Sequence, residues 1–176
     1  AIIDWFSRKL MGWTLSDTLD TAPVLDMVKE AVGRYGVPAI INSDQGCQFT
    51  SGEYKKLLRQ YGIRQSMDGK SRWADNIMIE RWFRSLKTEL IYINDYTSPK
   101  ELRGAIRDYV GQYNSIRPHQ SLEYLTPDQM YGLSFGALAQ PELLGRKPHP
   151  QGAKRAYEKA TPLRFRFPPQ TPLSTS

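Results

Sequence analysis

Short apolar runs alternate with helical patterns along the first part of the chain, and this alternation restricts the fold more than any other feature. Four apolar or β-branched runs predict strands, at residues 1–3, 10–15, 39–41 and 63–67. The second run follows a polar break and is expected to return antiparallel to the first. Helical spacing separates the later runs and continues alone after residue 75. This order is typical of a mixed α/β domain with helices on both sides of a sheet.

Capping residues and glycines set the ends of four predicted helices. The helices begin near Thr21, Ser51, Asn76 and Ser98, and they end near Gly36, Gly62, Ile91 and Tyr113. Three of the four tryptophans are expected in the core: Trp5, Trp13 and Trp82.

The positive charge of the chain lies mostly at its end. Residues 133–176 contain seven Lys and Arg but only two Glu, so this stretch carries almost all of the formal net charge of +6. It is also rich in proline and lacks periodicity, and we expect a basic, disordered tail. Basic chains often bind polyanions, but basic tails also serve solubility alone. The overall charge therefore decides little about function.

Several classes of protein are excluded by composition. No apolar run is long enough to cross a bilayer, and no segment predicts a secretion signal. The single cysteine, Cys47, rules out an internal disulfide framework and favours a reducing compartment. Two histidines and one cysteine cannot supply a zinc finger. We therefore expect a cytoplasmic protein with no membrane partner.

Two acidic residues follow predicted core strands, and a third lies on a predicted helix. Asp4 follows the first apolar run, Asp44 follows the third, and Glu80 borders an apolar helix face. Polar groups at the carboxyl ends of strands commonly reach a cleft. Three carboxylates that met there would suit Mg²⁺ or Mn²⁺, and two such ions can promote phosphoryl transfer.

Plainer interpretations of the same acids stay open at this point. An acid at a strand end is often a turn residue. Glu80 can also pair with Arg84 four residues later, or with Arg81 beside it.

Three segments around these acids resemble the acidic motifs of the integrase-core transposases of bacterial insertion sequences, which are related to retroviral integrases. The segments are residues 3–9 with Gly12 and Trp13, residues 42–51, and residues 75–81. Between Asp44 and Glu80 lie 35 residues, which is the spacing of that family. The signature that closes the family's domain is matched at residues 113–114, 117–122 and 126–127.

The resemblance implies a ribonuclease H-like fold, a mixed sheet flanked by helices, with an integrase/transposase catalytic core at residues 1–132. It implies that Asp4, Asp44 and Glu80 are the catalytic and metal-binding residues of a DNA transposition or integration enzyme. Two Mg²⁺ or Mn²⁺ ions are implied, with Asp4 bridging both. Water would attack a phosphodiester at the transposon end, and the freed 3′-hydroxyl would then attack another DNA strand. No other cofactor is expected.

The implied partners are transposon-end and target DNA, bound by a homo-oligomer associated with the bacterial nucleoid. The family's basic DNA-end residue is matched by Lys87. Further DNA contacts are expected from five residues: Arg81, Arg84, Lys70, Arg72 and Trp73. For each, a solvent-exposed or core-capping role is the plainer alternative. For His119 we expect a structural role beside Arg117 and Pro118.

Three departures from the family pattern limit what the resemblance implies. Three residues precede Asp4, where the family has a longer strand, so we expect an N-terminally truncated core. Cys47 stands where the family commonly has Ser, and the tail after residue 132 is unusual. The alternative is an inactive transposase remnant with at most non-specific DNA binding. A nuclease or ribonuclease H of the same fold is disfavoured by residues 117–122.

Overall fold

A computed structural model of the chain describes residues 1–67 and 76–139, and these form two compact units. The first unit combines residues 1–15 with residues 76–139, and the second comprises residues 16–67. The strands are β1 (Ile2–Ile3), β2 (Leu10–Gly12), β3 (Ile40–Ser43) and β4 (Arg64–Met67). The helices are α1 (Ala22–Tyr35), α2 (Cys47–Thr50), α3 (Gly52–Tyr61), α4 (Ile77–Leu86), α5 (Pro99–Ser115) and α6 (Pro127–Ala139). A π-helical turn (Lys87–Ile91) continues α4, and a 3-10 turn (Gln120–Leu122) precedes α6.

The first unit is built on a very short antiparallel hairpin of β1 and β2. Ile2 pairs with Gly12 and Ile3 with Leu10, with an irregularity between the two pairs. A hairpin of this length is not stable alone in water. It packs against α4 and α5 around one buried cluster, formed by Leu10, Trp82, Leu86, Ile106, Val110 and Tyr113. The hairpin therefore depends on the helices for its place.

The side chain of Asn114, at the end of α5, bonds to the backbone of β2. Its Oδ1 accepts from the Leu10 N–H at 2.9 Å, and its Nδ2 donates to the Leu10 carbonyl at 3.0 Å. The amide thus satisfies both backbone groups of one strand residue, as a neighbouring strand would. This pair of bonds fixes the register of the hairpin against α5.

The segment after α5 is held by a charged pair. Arg117 donates from both terminal nitrogens to the two carboxylate oxygens of Glu89, at 2.5 and 2.9 Å. Tyr109 donates to the same carboxylate at 3.1 Å. Glu89 lies in the π-helical turn, so the pair connects that turn to the loop before α6. Bidentate Arg–carboxylate pairs also fix orientation.

Helix α6 begins with a reciprocal cap and is bound to the β1–β2 turn. The Gln129 N–H donates to Thr126 Oγ1 at 3.2 Å, and the Thr126 N–H donates to Gln129 Oε1 at 2.9 Å, which is the capping-box arrangement. In the turn, Lys9 Nζ lies 2.8 Å from the Asp128 carboxylate and 4.6 Å from the centre of the Tyr131 ring.

The second unit is a parallel β3–β4 pair covered by two helices. Ile40 to Ser43 pair in register with Arg64 to Met67. Its core side chains come from α1, from α3 and from the residue just before β4: Met27, Val28, Ala31, Val32, Tyr54, Leu57, Leu58 and Ile63. Ser51 caps α3 by accepting from the Tyr54 N–H, and Gly62 ends α3 with a positive φ of 68°. This is the left-handed conformation that glycine adopts without steric cost.

Most predicted elements are confirmed, with four differences. The strands of the described residues form two two-stranded sheets, one antiparallel and one parallel. Trp5 is 43% exposed because it lies in the turn after β1, whereas Trp82 is buried as predicted. The last turn of the helix after Asn76 is π-helical. Helix α6 continues to Ala139, so the boundary predicted at residue 132 falls inside a helix. Within the described ranges, no helix is both long and apolar enough to span a bilayer.

We expect Asn114→Ala to lower the free energy of unfolding by about 2 kcal/mol, because the Leu10 N–H and carbonyl lose their partner in a half-buried position. Urea unfolding followed by circular dichroism measures this. Asn94→Ala is the matched control, since it removes one exposed bond to the Leu90 carbonyl. Equal stability of the two variants would contradict the role of Asn114.

Stability should depend on pH through Glu89. The Arg117 hydrogen bonds hold the pKa of Glu89 below its ordinary value of 4.5. The pair therefore stabilises the fold above pH 4.5, and this contribution is lost as the pH falls through the lower, folded-state pKa. Both side chains are more than a third exposed, so screening limits the contribution to at most about 1 kcal/mol.

Glu89→Gln should accordingly destabilise the chain at pH 7, and the difference from the unaltered chain should be smaller at an acid pH below the lowered pKa of Glu89. Unfolding free energies at the two pH values test this. The exposed Glu123 provides the control variant Glu123→Gln. If Glu89→Gln lowers the free energy of unfolding equally at both pH values, the charge of the Glu89 carboxylate does not stabilise the fold.

Candidate active site

Asp4 lies in a tight turn directly after β1. Its carboxylate is buried, with the residue 8% exposed, and Oδ2 accepts from the Ser7 N–H at 2.8 Å and from the Ser7 hydroxyl at 2.6 Å. The backbone closes the same turn, since the Arg8 N–H donates to the Asp4 carbonyl and the Asp4 N–H donates to the Lys9 carbonyl. Arg8 has a positive φ of 63°, which lets the chain reverse within these few residues. Asp4 Oδ1 accepts no hydrogen bond from the described residues.

Asp44 is held in a similar way in the second unit. It directly follows β3 and is exposed, and its Oδ1 accepts from the Gly46 N–H at 2.8 Å. A Cβ atom at Gly46 would lie 2.9 Å from that oxygen, so only glycine fits here without displacing the carboxylate. The loop leads into α2, and Gln65 on β4 anchors it by donating to the Phe49 carbonyl at 2.8 Å.

Glu80 lies in the first turn of α4 and is exposed. It adjoins the buried face through Ile79, which packs against the core cluster, but it does not lie on that face. At about 100° per residue, Trp82 lies about 200° around the helix from Glu80, and Trp82 and Leu86 are the buried residues of α4. Phe83, the apolar residue three positions after Glu80, is 38% exposed. The Glu80 carboxylate makes no ion pair or hydrogen bond with the described residues, so the predicted pairings with Arg81 and Arg84 are absent there.

Three basic residues share the exposed side of α4 with Glu80. Arg84 and Lys87 follow Glu80 by four and seven residues, a spacing that places them on the same side of a helix. Arg81 is adjacent in sequence, and all three are exposed. Lys87 is also the first residue of the π-helical turn. Such turns are frequent at functional sites.

Two further basic residues, Arg8 and His119, lie near this region within the first unit. Burial lowers the pKa of Arg8, Tyr113 and Asp4 raise it, and the nearby charge of Arg81 lowers it. Burial likewise lowers the pKa of His119, and Arg117, Arg8 and Arg81 add to that shift. His119 is therefore neutral at pH 7. Its ring meets Tyr113 edge to face at 4.7 Å, and its backbone N–H donates to the Leu125 carbonyl at 3.1 Å. These contacts support the structural role expected of it.

Asp4 and Glu80 belong to the first unit and Asp44 to the second. In the part of the chain that the structure describes, no three His, Cys, Asp or Glu side chains gather into a group that could hold a metal ion. That Asp4, Asp44 and Glu80 come together at one site stays a prediction. The donor chemistry fits a hard divalent cation, because all three candidates are carboxylates and each of the two aspartates has an oxygen without a described hydrogen bond.

Three predicted DNA contacts, Lys70, Arg72 and Trp73, lie outside the described residues. Two interactions were not foreseen from the sequence: the Ser7 bonds to Asp4, and the pair of Glu89 with Arg117. The first had a sequence signal, because a serine three residues after an aspartate can bond back to it. The second joins residues 28 positions apart and has no local signal.

Two sequence profiles, both described as the integrase core domain, match the chain at residues 1–72 and 61–127. A transposase for insertion sequence element IS904 of Lactococcus lactis is 38% identical over 128 residues, which cover 71% of this chain and 51% of the relative. The InsF transposase for insertion sequence IS3A of Escherichia coli is 31% identical over 131 residues, covering 73% and 46%. The chain thus spans about half the length of the curated relatives it matches.

Solved integrase structures share the fold. The catalytic core domain of HTLV-2 integrase, solved with magnesium, aligns with a TM-score of 0.56 and 19% identity over 73% of this chain and 80% of that one. The catalytic core of BIV integrase aligns with a TM-score of 0.58 and 22% identity over 72% and 80%. A chain of the simian T-cell lymphotropic virus intasome, solved with the PP2A regulatory subunit B56 gamma, gives 0.64 and 18% over 84% and 50%. The chain belongs to the integrase core domain family and has its ribonuclease H-like α/β fold.

Proposed function

We propose that this chain is the catalytic core of a transposase that cleaves and joins DNA strands at transposon ends. The observation that carries the proposal is the arrangement of the two aspartates. Each directly follows a strand, and each has one carboxylate oxygen fixed by a backbone N–H while the other has no described partner. The insertion-sequence transposases that match the chain support it.

In this proposal Asp4, Asp44 and Glu80 are the catalytic residues, and together they hold two divalent cations, Mg²⁺ or Mn²⁺. Such ions, when bound, neutralise charge on the phosphate and lower the pKa of a bound water. The HTLV-2 core that shares this fold was solved with magnesium. The chain's own contribution is to fix the direction of two of these carboxylates. Local bonds do this for Asp4 and Asp44, whereas α4 places Glu80 on its exposed side.

The chemistry is transfer of a phosphodiester from one oxygen to another. Water attacks phosphorus at the transposon end, and the bond to the departing 3′-oxygen breaks. That 3′-hydroxyl then attacks a phosphodiester of the target strand, and the bond from this phosphorus to the target's own 3′-oxygen breaks, so that the target 3′-hydroxyl is the leaving group. Neither step forms a covalent bond to the enzyme. Positioning and charge neutralisation supply most of the rate in such reactions.

DNA is the proposed partner, bound along the exposed side of α4. Arg81, Arg84 and Lys87 offer positive charge on the side that carries Glu80. A phosphate backbone would follow such a stripe, and binding would weaken as salt concentration rises. Lys70, Arg72 and Trp73 stay proposed contacts from the sequence. Assembly of two or more copies on DNA is also proposed, in line with the intasome in which a chain of the same fold is found.

We expect Asp44→Asn and Glu80→Gln each to reduce metal-dependent nicking at least about a hundred-fold, because each removes a charged oxygen that would hold the cations. The measurement is nicking and strand transfer with Mn²⁺, on duplexes that carry the DNA ends flanking the gene. Asp26→Asn is the matched control in the second unit, since Asp26 lies on the exposed side of α1 and Lys29 is its one ion-pair partner among the described residues.

Full activity of either triad variant would refute the metal assignment. Salt-sensitive DNA binding by the unaltered chain, with no cleavage product at any Mn²⁺ concentration, would favour the inactive remnant. Cleavage of the RNA strand of a hybrid would instead favour a ribonuclease H.

We expect Gly46→Ala to reduce the same activity at least about ten-fold without unfolding the chain, because the new methyl group would lie 2.9 Å from Asp44 Oδ1 and push the carboxylate away. Gly33→Ala is the control, since among the described residues no atom outside the adjoining backbone of α1 lies within 4 Å of its added Cβ. Gly33 lies in the last turn of α1, so Gly33→Ala should raise the unfolding free energy by no more than about 0.5 kcal/mol. Unchanged nicking by Gly46→Ala would show that the Asp44 loop tolerates displacement.

A further inference from the structure

Ser7 is the most deeply buried polar residue near the candidate site. Its exposed fraction is 0%, and both its N–H and its hydroxyl donate to Asp4 Oδ2, at 2.8 and 2.6 Å. A hydroxyl–oxygen distance of 2.6 Å is typical of a charge-assisted bond to an ionised carboxylate. A buried carboxylate without partners would be costly, so these bonds let Asp4 occupy a buried position.

Both bonds fall on the same oxygen, and this makes the two oxygens of Asp4 unequal. Oδ2 is saturated by Ser7, whereas Oδ1 accepts no hydrogen bond from the described residues. Two bonds to one oxygen also stop the carboxylate from rotating about its last torsion. The carboxylate is therefore oriented before any ligand arrives.

The surrounding turn holds Ser7 itself in place. The Lys9 N–H donates to the Ser7 hydroxyl oxygen at 3.3 Å, so this hydroxyl accepts one bond while it donates another. The Lys9 side chain is in turn fixed by Asp128 and Tyr131.

We infer that Ser7 is a positioning residue: it fixes Asp4 Oδ2 so that Oδ1 is the oxygen presented to a divalent cation. This inference rests on the proposed function. Ser7 would not contact DNA or the cation. Loss of its hydroxyl frees the carboxylate to rotate and weakens cation binding, as loss of a hydrogen bond to a metal ligand generally does.

The test is Mn²⁺ binding by the 176-residue chain, measured from the electron paramagnetic resonance signal of free Mn²⁺ without any DNA. We expect Ser7→Ala to raise the dissociation constant for Mn²⁺ about ten-fold. Thr18→Ala is the matched control, because it also removes a hydroxyl that donates to a nearby carboxylate, that of Asp20, at 2.8 Å on the exposed surface. It should leave the dissociation constant unchanged.

Asp4→Asn distinguishes the positioning role of Ser7 from the assignment of Asp4 as a metal ligand. If Asp4→Asn weakens Mn²⁺ binding and Ser7→Ala does not, the role of Ser7 is overturned while the metal assignment stands. If Asp4→Asn has no effect, or the unaltered chain binds no Mn²⁺, both are overturned.

Circular dichroism in EDTA establishes that each variant folds. If Ser7→Ala does not fold, Ser7→Cys is measured instead. The cysteine thiol has a similar shape to the serine hydroxyl but is a weaker hydrogen-bond donor. A folded Ser7→Cys variant with unchanged Mn²⁺ affinity overturns the inference.

Discussion

The bonds between Asn114 and Leu10 are the interaction on which the first unit depends. The strand that leads to Asp4 has two residues and its partner strand has three, too few for the hairpin to hold its own shape. The Asn114 amide replaces the missing neighbour by satisfying both backbone groups of Leu10. Leu10 in turn packs into the cluster around Trp82 and Tyr113. The position of a buried carboxylate is thereby determined by a helix more than a hundred residues away in sequence.

The two aspartates are held by the same physical device in different loops. In each, a backbone N–H two or three residues later donates to one carboxylate oxygen. The bond is local, so it forms with the turn itself and costs little additional chain entropy. Asp4 is buried and needs the hydroxyl of Ser7 as well, whereas the exposed Asp44 needs only space, which the absence of a side chain at Gly46 provides. The difference follows from solvation, because water stabilises an exposed carboxylate directly.

The signature that closes the domain proves to be largely structural. Asn114 binds the hairpin, Arg117 binds Glu89, His119 packs on Tyr113, and Thr126 caps α6. None of these side chains needs to meet a substrate to explain its place. The residues that the proposed reaction would use come instead from short turns and from the exposed side of α4. A motif that identifies a family can therefore report on the support of a site as well as on its chemistry.

The sequence by itself determined the local strands and helices, and it singled out Asp4, Asp44 and Glu80 as the candidate site residues. Alternation, capping residues and glycines are local signals, and they placed the strands and helices to within a few residues, with Ser51 and Gly62 bounding α3 as predicted. Tertiary structure decided which face of α4 is buried, and hence that Glu80 is exposed, because Ile79, Trp82 and Phe83 are all apolar and the sequence cannot rank them. It also decided the partners of Asn114 and Arg117. Such pairs join distant residues, and long-range contacts are set by how elements pack rather than by any residue's own preference.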